Sequence, residues 1–268
     1  MGDSIVFLGT AGDSIVCGKQ YRASGGIIFN LESKQFHIDP GPGALVMAKM
    51  QGINLRENTA VFVSHNHIIH ANDVNAVISA MTHNGLDKKG VLCASKSVLF
   101  GSENDEPFLK DFYRHCVEKY ITLEKGTLAG IENIDIRATE TKHLDKKGVG
   151  FRFNTPRVSI GYTSDTEYFS NLVNEFKDID ILILNVVNPT NNESKDNLNT
   201  DDAVKLIEKI KPQLAIITHF GIKMLKADPL YEAREIQKQT GVHTIAAKDG
   251  MAISPSSSKG KQRKLEGY

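Results

Sequence analysis

The chain has 268 residues, 40% of them hydrophobic, which is enough for one large core-bearing domain. Its 32 basic and 32 acidic residues cancel, so nothing pulls the whole chain toward nucleic acid or an anionic membrane. No apolar run approaches 18 residues, the N-terminus lacks the basic and apolar regions of a secretory signal, and three widely spaced cysteines (Cys17, Cys93, Cys116) suit a reducing cytoplasm.

Short β-like runs alternate with helical patterns along the chain. "SIVFLG" (4–9) predicts a strand, and "GIIFNLESKQFHID" (26–39) a hairpin turning at Glu32 to Lys34. "TAVFVS" (59–64) predicts a buried strand followed by a helix from about Asn72 to Thr82, with Val74, Val77, Ile78 and Met81 on one face. "GVLCAS" (90–95) is a further strand, and "PFLKDFYRHCVEKY" a helix opening at Pro107. Strands are then predicted in 133–141, in "GVGFRFNT", in 157–164, and in "DIDILILNVV" (178–187), the last buried on both faces. "NTDDAVKLIEKIKP" reads as a helix with Thr200 as its capping candidate and Pro212 as its stop. "QLAIITHFG" is a strand, "PLYEAREIQKQTG" a helix ending at Gly241, and "HTIAAKDGMAIS" a closing strand pair. We expect a single α/β domain over residues 1–255. A disordered basic tail, 256–268, carries Lys259, Lys261, Arg263 and Lys264. Four charges on such a tail serve solubility more often than nucleic-acid binding.

Four apolar runs end in groups suited to a metal. "AVFVS" leads to His65, His67 and His70, "NIDIRATETK" to His143, "VSIGYTS" to Asp165, and "LAIIT" to His219. The carboxyl ends of strands in layered α/β folds converge on one edge, where ligands bind. His65 and His67 can reach one ion, His70 on the next turn a second, and an aspartate can bridge the two. A lone histidine after a strand is usually just hydrogen-bonded, and His37, His83, His115 and His243 are left at that reading. Asp165 alone would be a turn or cap residue. Four coincident strand ends outweigh those readings.

These motifs resemble the metallo-β-lactamase superfamily, in its ribonuclease Z-like branch of metal-dependent hydrolases. "IVFLGTAGD", "FHIDPGPG", "SHNHIIH", His143, "GYTSDT" and "ITHFG" carry the likeness over nearly the whole body. The resemblance implies a four-layer αββα sandwich. It implies His65, His67 and His143 as ligands of a first metal, His70 and His219 of a second, Asp165 as the bridge, and Asp39 as a support of the histidine loop. It implies one or two zinc ions, with manganese or iron as alternatives. The family places an aspartate before the third histidine, where this chain has Ile69, and a histidine near Asn197, where there is none. Asp73 and Asp145 are weak replacements for the missing carboxylate. The glycine loop Gly9 to Gly12 lacks the spacing of a dinucleotide fingerprint.

The expected activity is hydrolysis of a phosphodiester or other small ester by metal-bound hydroxide, with Asp165, His219 and His70 serving the reaction. The alternative is a degenerate fold that binds a small ligand or partner. The expected setting is cytoplasmic, with no membrane or nucleic-acid partner and homo-oligomerisation left open. No arm for precursor-tRNA lies between Asp165 and His219.

Overall fold

The structure is a computed structural model that describes residues 2–103, 105–192 and 195–255; the tail expected at 256–268 lies outside them. Two sheets carry the fold. The first contains β1 (Ser4–Gly9), β2 (Ser24–Leu31), β3 (Lys34–Ile38), β4 (Asn58–Val63), β5 (Val91–Ser95), β6 (Lys119–Leu123) and β15 (Ala252–Ile253), in the order β15-β1-β2-β3-β4-β5-β6. The second contains β7 (Leu128–Ile131), β8 (Ile134–Glu140), β9 (Val149–Asn154), β10 (Ser159–Tyr162), β11 (Ile181–Asn188), β12 (Leu198–Asn199), β13 (Leu214–Thr218) and β14 (Thr244–Ala246). Its order is β14-β13-β11-β10-β9-β8-β7, with β12 paired to β11.

The apolar alternation decides how these sheets stack. Phe7, Phe29, Phe36 and Phe62 of the first sheet meet Phe151 and Phe153 of the second in one buried layer. The residues of opposite parity in β1, β2, β4 and β5 face outward under α2 (Ala44–Met50), α4 (Val74–Thr82) and α5 (Lys96–Phe100). On the far side, Leu182, Leu184, Ala215 and Ile217 pack under α7 (Leu172–Glu175), α8 (Thr200–Ile210) and α10 (Pro229–Thr240). The result is the expected αββα sandwich. Four short helices complete it: α1 (Ser14–Gly18), α3 (Ile68–Ala71), α6 (Asp111–Arg114) and α9 (Ile222–Ala227). Among the described residues no helix is long and apolar enough to cross a membrane.

Three local readings change. The helix expected from Pro107 shrinks to α6, and its last residues begin β6, which adds to the sheet by parallel pairing with β5. The closing strand pair is not a pair: β14 joins β13 in the second sheet, whereas β15 joins β1 in the first. Asn199, not Thr200, caps α8; its side chain accepts from the Asp202 amide at 2.8 Å.

Candidate metal centre

All six sequence-derived ligand candidates meet at one rim. β4 delivers His65 and His67, and α3, directly after His67, turns His70 back toward them. The loop after β8 brings His143, the turn after β10 brings Asp165, and the end of β13 brings His219. His65 Nε2 lies 3.0 Å from His67 Nδ1, and His143 Nε2 lies 3.1 Å from that same atom. Asp165 sits between the rings. Its Oδ2 is 3.3 Å from His70 Nε2, 3.8 Å from His143 Nε2 and 3.9 Å from His65 Nε2, and its Oδ1 is 3.3 Å from His219 Nε2. His70 Nε2 and His219 Nε2 are 3.2 Å apart.

The outer faces of the rings fix which nitrogens are bare. His143 Nδ1 faces the Asp196 carbonyl at 2.6 Å, and His70 Nδ1 faces Asp39 Oδ2 at 2.9 Å; both partners only accept, so both Nδ1 atoms carry hydrogen. The Ser64 hydroxyl donates to Asp39 Oδ2 at 2.8 Å and so accepts from His65 Nδ1 at 2.9 Å. In their neutral forms His65, His70 and His143 thus point Nε2 lone pairs inward, with carboxylate, hydroxyl and carbonyl groups setting the tautomers. One His67 Nδ1 hydrogen could satisfy only one of its two neighbours. A tetrahedron with ligands about 2.0–2.1 Å from a zinc ion has edges of about 3.3–3.4 Å, close to the spacings seen here. Among the described residues, two sets of side chains each bring their donor atoms within 4.8 Å of one another: His65, His67 and His143, and His65, His70 and Asp165.

The electrostatics agree. Burial, reinforced by the neighbouring imidazoles, holds His65 well below the usual histidine range, and burial followed by His143 lowers His67, so both keep free lone pairs at neutral pH. Burial alone would lower His70 too, but Asp165 and Asp39 outweigh it and push its pKa up to about 10. Burial would raise Asp165, but His219 and His70 hold it well below the carboxylate range. Without an ion, His70 is therefore a charged donor shared between two carboxylates.

Asp39 has the supporting role expected of it. Besides Ser64 and His70, it accepts from the Ser64 amide at 2.7 Å and from the Tyr162 hydroxyl at 2.8 Å. Sequence reasoning missed Asn185, a buried residue of β11 whose Nδ2 donates to Asp165 Oδ1 at 2.7 Å and lies 3.2 Å from the Tyr162 hydroxyl. A polar residue inside an otherwise apolar strand, "ILILNVV", was its one signal. Asp39, Ser164 and His219 hold φ angles of 50°, 55° and 64°, a left-handed conformation that costs free energy and recurs at functional sites.

The two replacement carboxylates are spent elsewhere. Asp73 Oδ2 accepts from the Gly43 and Ala44 amides at 3.0 and 2.9 Å, so it caps α2, not its own helix α4. Asp145 accepts from the Asn66 and Lys147 amides and from the Ser97 hydroxyl. Ile69 packs against Ala11, Val16 and Cys17 beside Ile222 and Leu225. It also lines a cavity of about 20 Å³ together with Asp39, His70, Tyr162, Asn185 and His219. Asn197 directly follows the residue whose carbonyl holds His143, and its Oδ1 is enclosed without a partner among the described residues.

Residues 34–220 match the model of the Beta-lactamase superfamily domain, a stretch that contains all six candidates. The chain belongs to the beta-lactamase superfamily. It is 35% identical over 264 residues to the uncharacterized protein MJ1374 of Methanocaldococcus jannaschii, covering 98% of both chains. The metallo-beta-lactamase fold protein YhfI from Bacillus subtilis superposes with a TM-score of 0.74 at 15% identity, over 94% of this chain and 99% of that one. A diphosphatase from the PhnP family gives 0.69 at 18% identity, over 94% and 97%. These likenesses bear out the expected superfamily and the metallo-β-lactamase fold.

Proposed function

We propose that the chain is a metal-dependent hydrolase acting on a phosphodiester or another small phosphate ester, with zinc at the His65–His67–His143–Asp165 position. The carrying observation is the cluster of three imidazoles, with His67 Nδ1 3.0 Å from His65 Nε2 and 3.1 Å from His143 Nε2, beside an Asp165 carboxylate oxygen 3.9 and 3.8 Å from those two Nε2 atoms. Imidazole nitrogen with one carboxylate suits zinc; iron also takes imidazole, whereas manganese favours oxygen ligands. A bound ion would supply an acidified water and polarise the scissile phosphoryl oxygen. The chain's own groups do the rest. Asp165, fixed by Asn185, orients the attacking group. His70, charged and held by Asp39, and His219 beside it can donate to charge developing on the leaving oxygen. That a diphosphatase shares the fold supports a phosphorus centre over a carbonyl one.

The test is hydrolysis of bis(p-nitrophenyl) phosphate by the zinc-loaded protein. Turnover that falls at least about a hundredfold in His65→Ala is expected. No turnover, or equal rates in the two proteins, defeats the reading. The apolar packing of Ile69 favours a second reading, a ligand-binding module without turnover. Metal content separates the two: a chain purified without added metal that carries no transition metal supports the module.

A further inference from the structure

The loop that presents His143 also builds a basic depression. "TKHLDKK" (141–147) carries three lysines around one acid, in a chain whose charges otherwise balance. The acid is Asp145, and it is consumed internally: Oδ2 accepts from the Asn66 amide at 2.9 Å and the Ser97 hydroxyl at 2.5 Å, and Oδ1 from the Lys147 amide at 2.9 Å. No ion pair engages Lys142, Lys146 or Lys147 among the described residues. Lys142 Nζ rests 5.0 Å over the Phe169 ring. Thr141, Lys142, His143, Lys146 and Glu167 line a depression of about 280 Å³, and Thr141 and Lys146 also wall a neighbouring one of about 270 Å³. In the second depression Glu140 is paired with Lys125. The Thr141 hydroxyl is enclosed and has no partner among the described residues. Asp145 ties the loop to Asn66, between His65 and His67, so the depression and the candidate metal centre form one body.

We propose that this depression receives a second phosphoryl group of the substrate, one that is not cleaved. The proposal rests on the hydrolase reading and narrows it to phosphate esters with a further phosphate beyond the scissile bond. Two ammonium groups against one carboxylate leave the lining net positive. A phosphoryl group offers several strong acceptor oxygens to such a set. Clustered lysines elsewhere on a surface are usually only solvated. Here they share a concave site with a candidate metal ligand, and the one acid of their own loop is engaged elsewhere, leaving Glu167 as the lining's carboxylate.

Isothermal calorimetry with inorganic phosphate on the full chain as purified tests this. Wild type is expected to bind phosphate, with acetate at least about tenfold weaker, and Lys142→Gln/Lys146→Gln is expected to weaken phosphate about tenfold. Lys49→Gln/Lys88→Gln, which removes equal charge elsewhere, should match wild type. Phosphate binding that is absent in wild type, equalled by acetate, or untouched by Lys142→Gln/Lys146→Gln overturns the proposal. The hydrolase reading fails differently, by absent turnover of bis(p-nitrophenyl) phosphate in the wild type.

Discussion

On the hydrolase reading, single side chains decide how many ions this centre would hold. The His65–His67–His143 set needs no further ligand beyond Asp165. The His70–His219 side has lost a carboxylate if Ile69 stands where the superfamily motif carries aspartate, and His70 must also give up a proton before it can bind an ion there. One zinc per chain is therefore expected by elemental analysis of the purified wild type. Ile69→Asp should raise this toward two. It should also destabilise the metal-free protein, because the new carboxylate enters the apolar surroundings of Ala11, Val16 and Cys17, and added zinc should restore the melting temperature. A variant whose zinc content stays at one would show that His70 and His219 are not disposed to share an ion with residue 69. Asn185 acts on the same centre from behind. Asn185→Ala removes the 2.7 Å donor to Asp165 and frees the carboxylate to rotate; zinc affinity should fall roughly 10–100-fold, the usual cost of losing a ligand's supporting partner. Competition with a chromophoric chelator measures it, and a shifted visible spectrum of the cobalt-loaded variant distinguishes loss of orientation from general loosening.

At the scale of elements, the loop after β1 is tied to the rim by backbone hydrogen bonds. The Gly12 amide donates to the Phe220 carbonyl at 2.9 Å, and the Phe220 amide to the Thr10 carbonyl at 2.7 Å, lacing β1 to the His219 turn. A Cβ on Gly12 would lie 1.9 Å from the His219 carbonyl oxygen, backbone against backbone, with no flexible atom to yield. Gly12→Ala should therefore displace His219, costing about 1–3 kcal/mol in urea unfolding and weakening zinc retention in dialysis; unchanged values for both would mean that the two loops move independently. The same comparison shows what was legible beforehand. β13 and the second half of β4 are apolar runs, β11 is one interrupted by Asn185, and the ligand candidates stand at the ends of β4 and β13, so residue type and position carried the site. β6 was hidden because Lys119 and Tyr120 are exposed and its partner β5 begins 28 positions earlier in register, Val91 opposite Lys119. A local pattern holds no record of that pairing. Nor does it record that β14 and β15, neighbours in sequence, belong to opposite sheets, or that Asp145 faces Asn66 and not the rings.

For the whole molecule, the two sheets meet in a layer where aromatic rings interlock among aliphatic side chains: the Phe153 ring lies 5.1, 5.2 and 5.9 Å from those of Phe62, Phe29 and Phe36 across the layer. Strand β3 contributes Phe36 and Ile38 to that layer and sends His37 the other way, fully buried. There His37 Nε2 meets the Gly25 carbonyl at 2.8 Å, while Nδ1 has no partner among the described residues. Burial pulls its pKa down to about 4, against the opposing pull of the Gly25 carbonyl and of Asp39. Between about pH 6.5 and about pH 4 the unfolded chain binds a proton at this residue and the folded chain does not. Stability from a neutral His37 is thus complete above about 6.5 and is lost as pH falls toward 4, by about 3 kcal/mol over the whole window. Carboxylates titrate across the lower part of that range as well, so the wild-type slope alone does not isolate it. His37→Gln keeps a donor near the Gly25 carbonyl and removes the titration. In urea unfolding of the metal-free proteins, the gap in stability between wild type and variant should narrow by about 2 kcal/mol from pH 7 to pH 4.5. A gap that stays constant with pH would mean that His37 takes up its proton in the folded sandwich as readily as in the open chain, and that the outer face of β3 admits water.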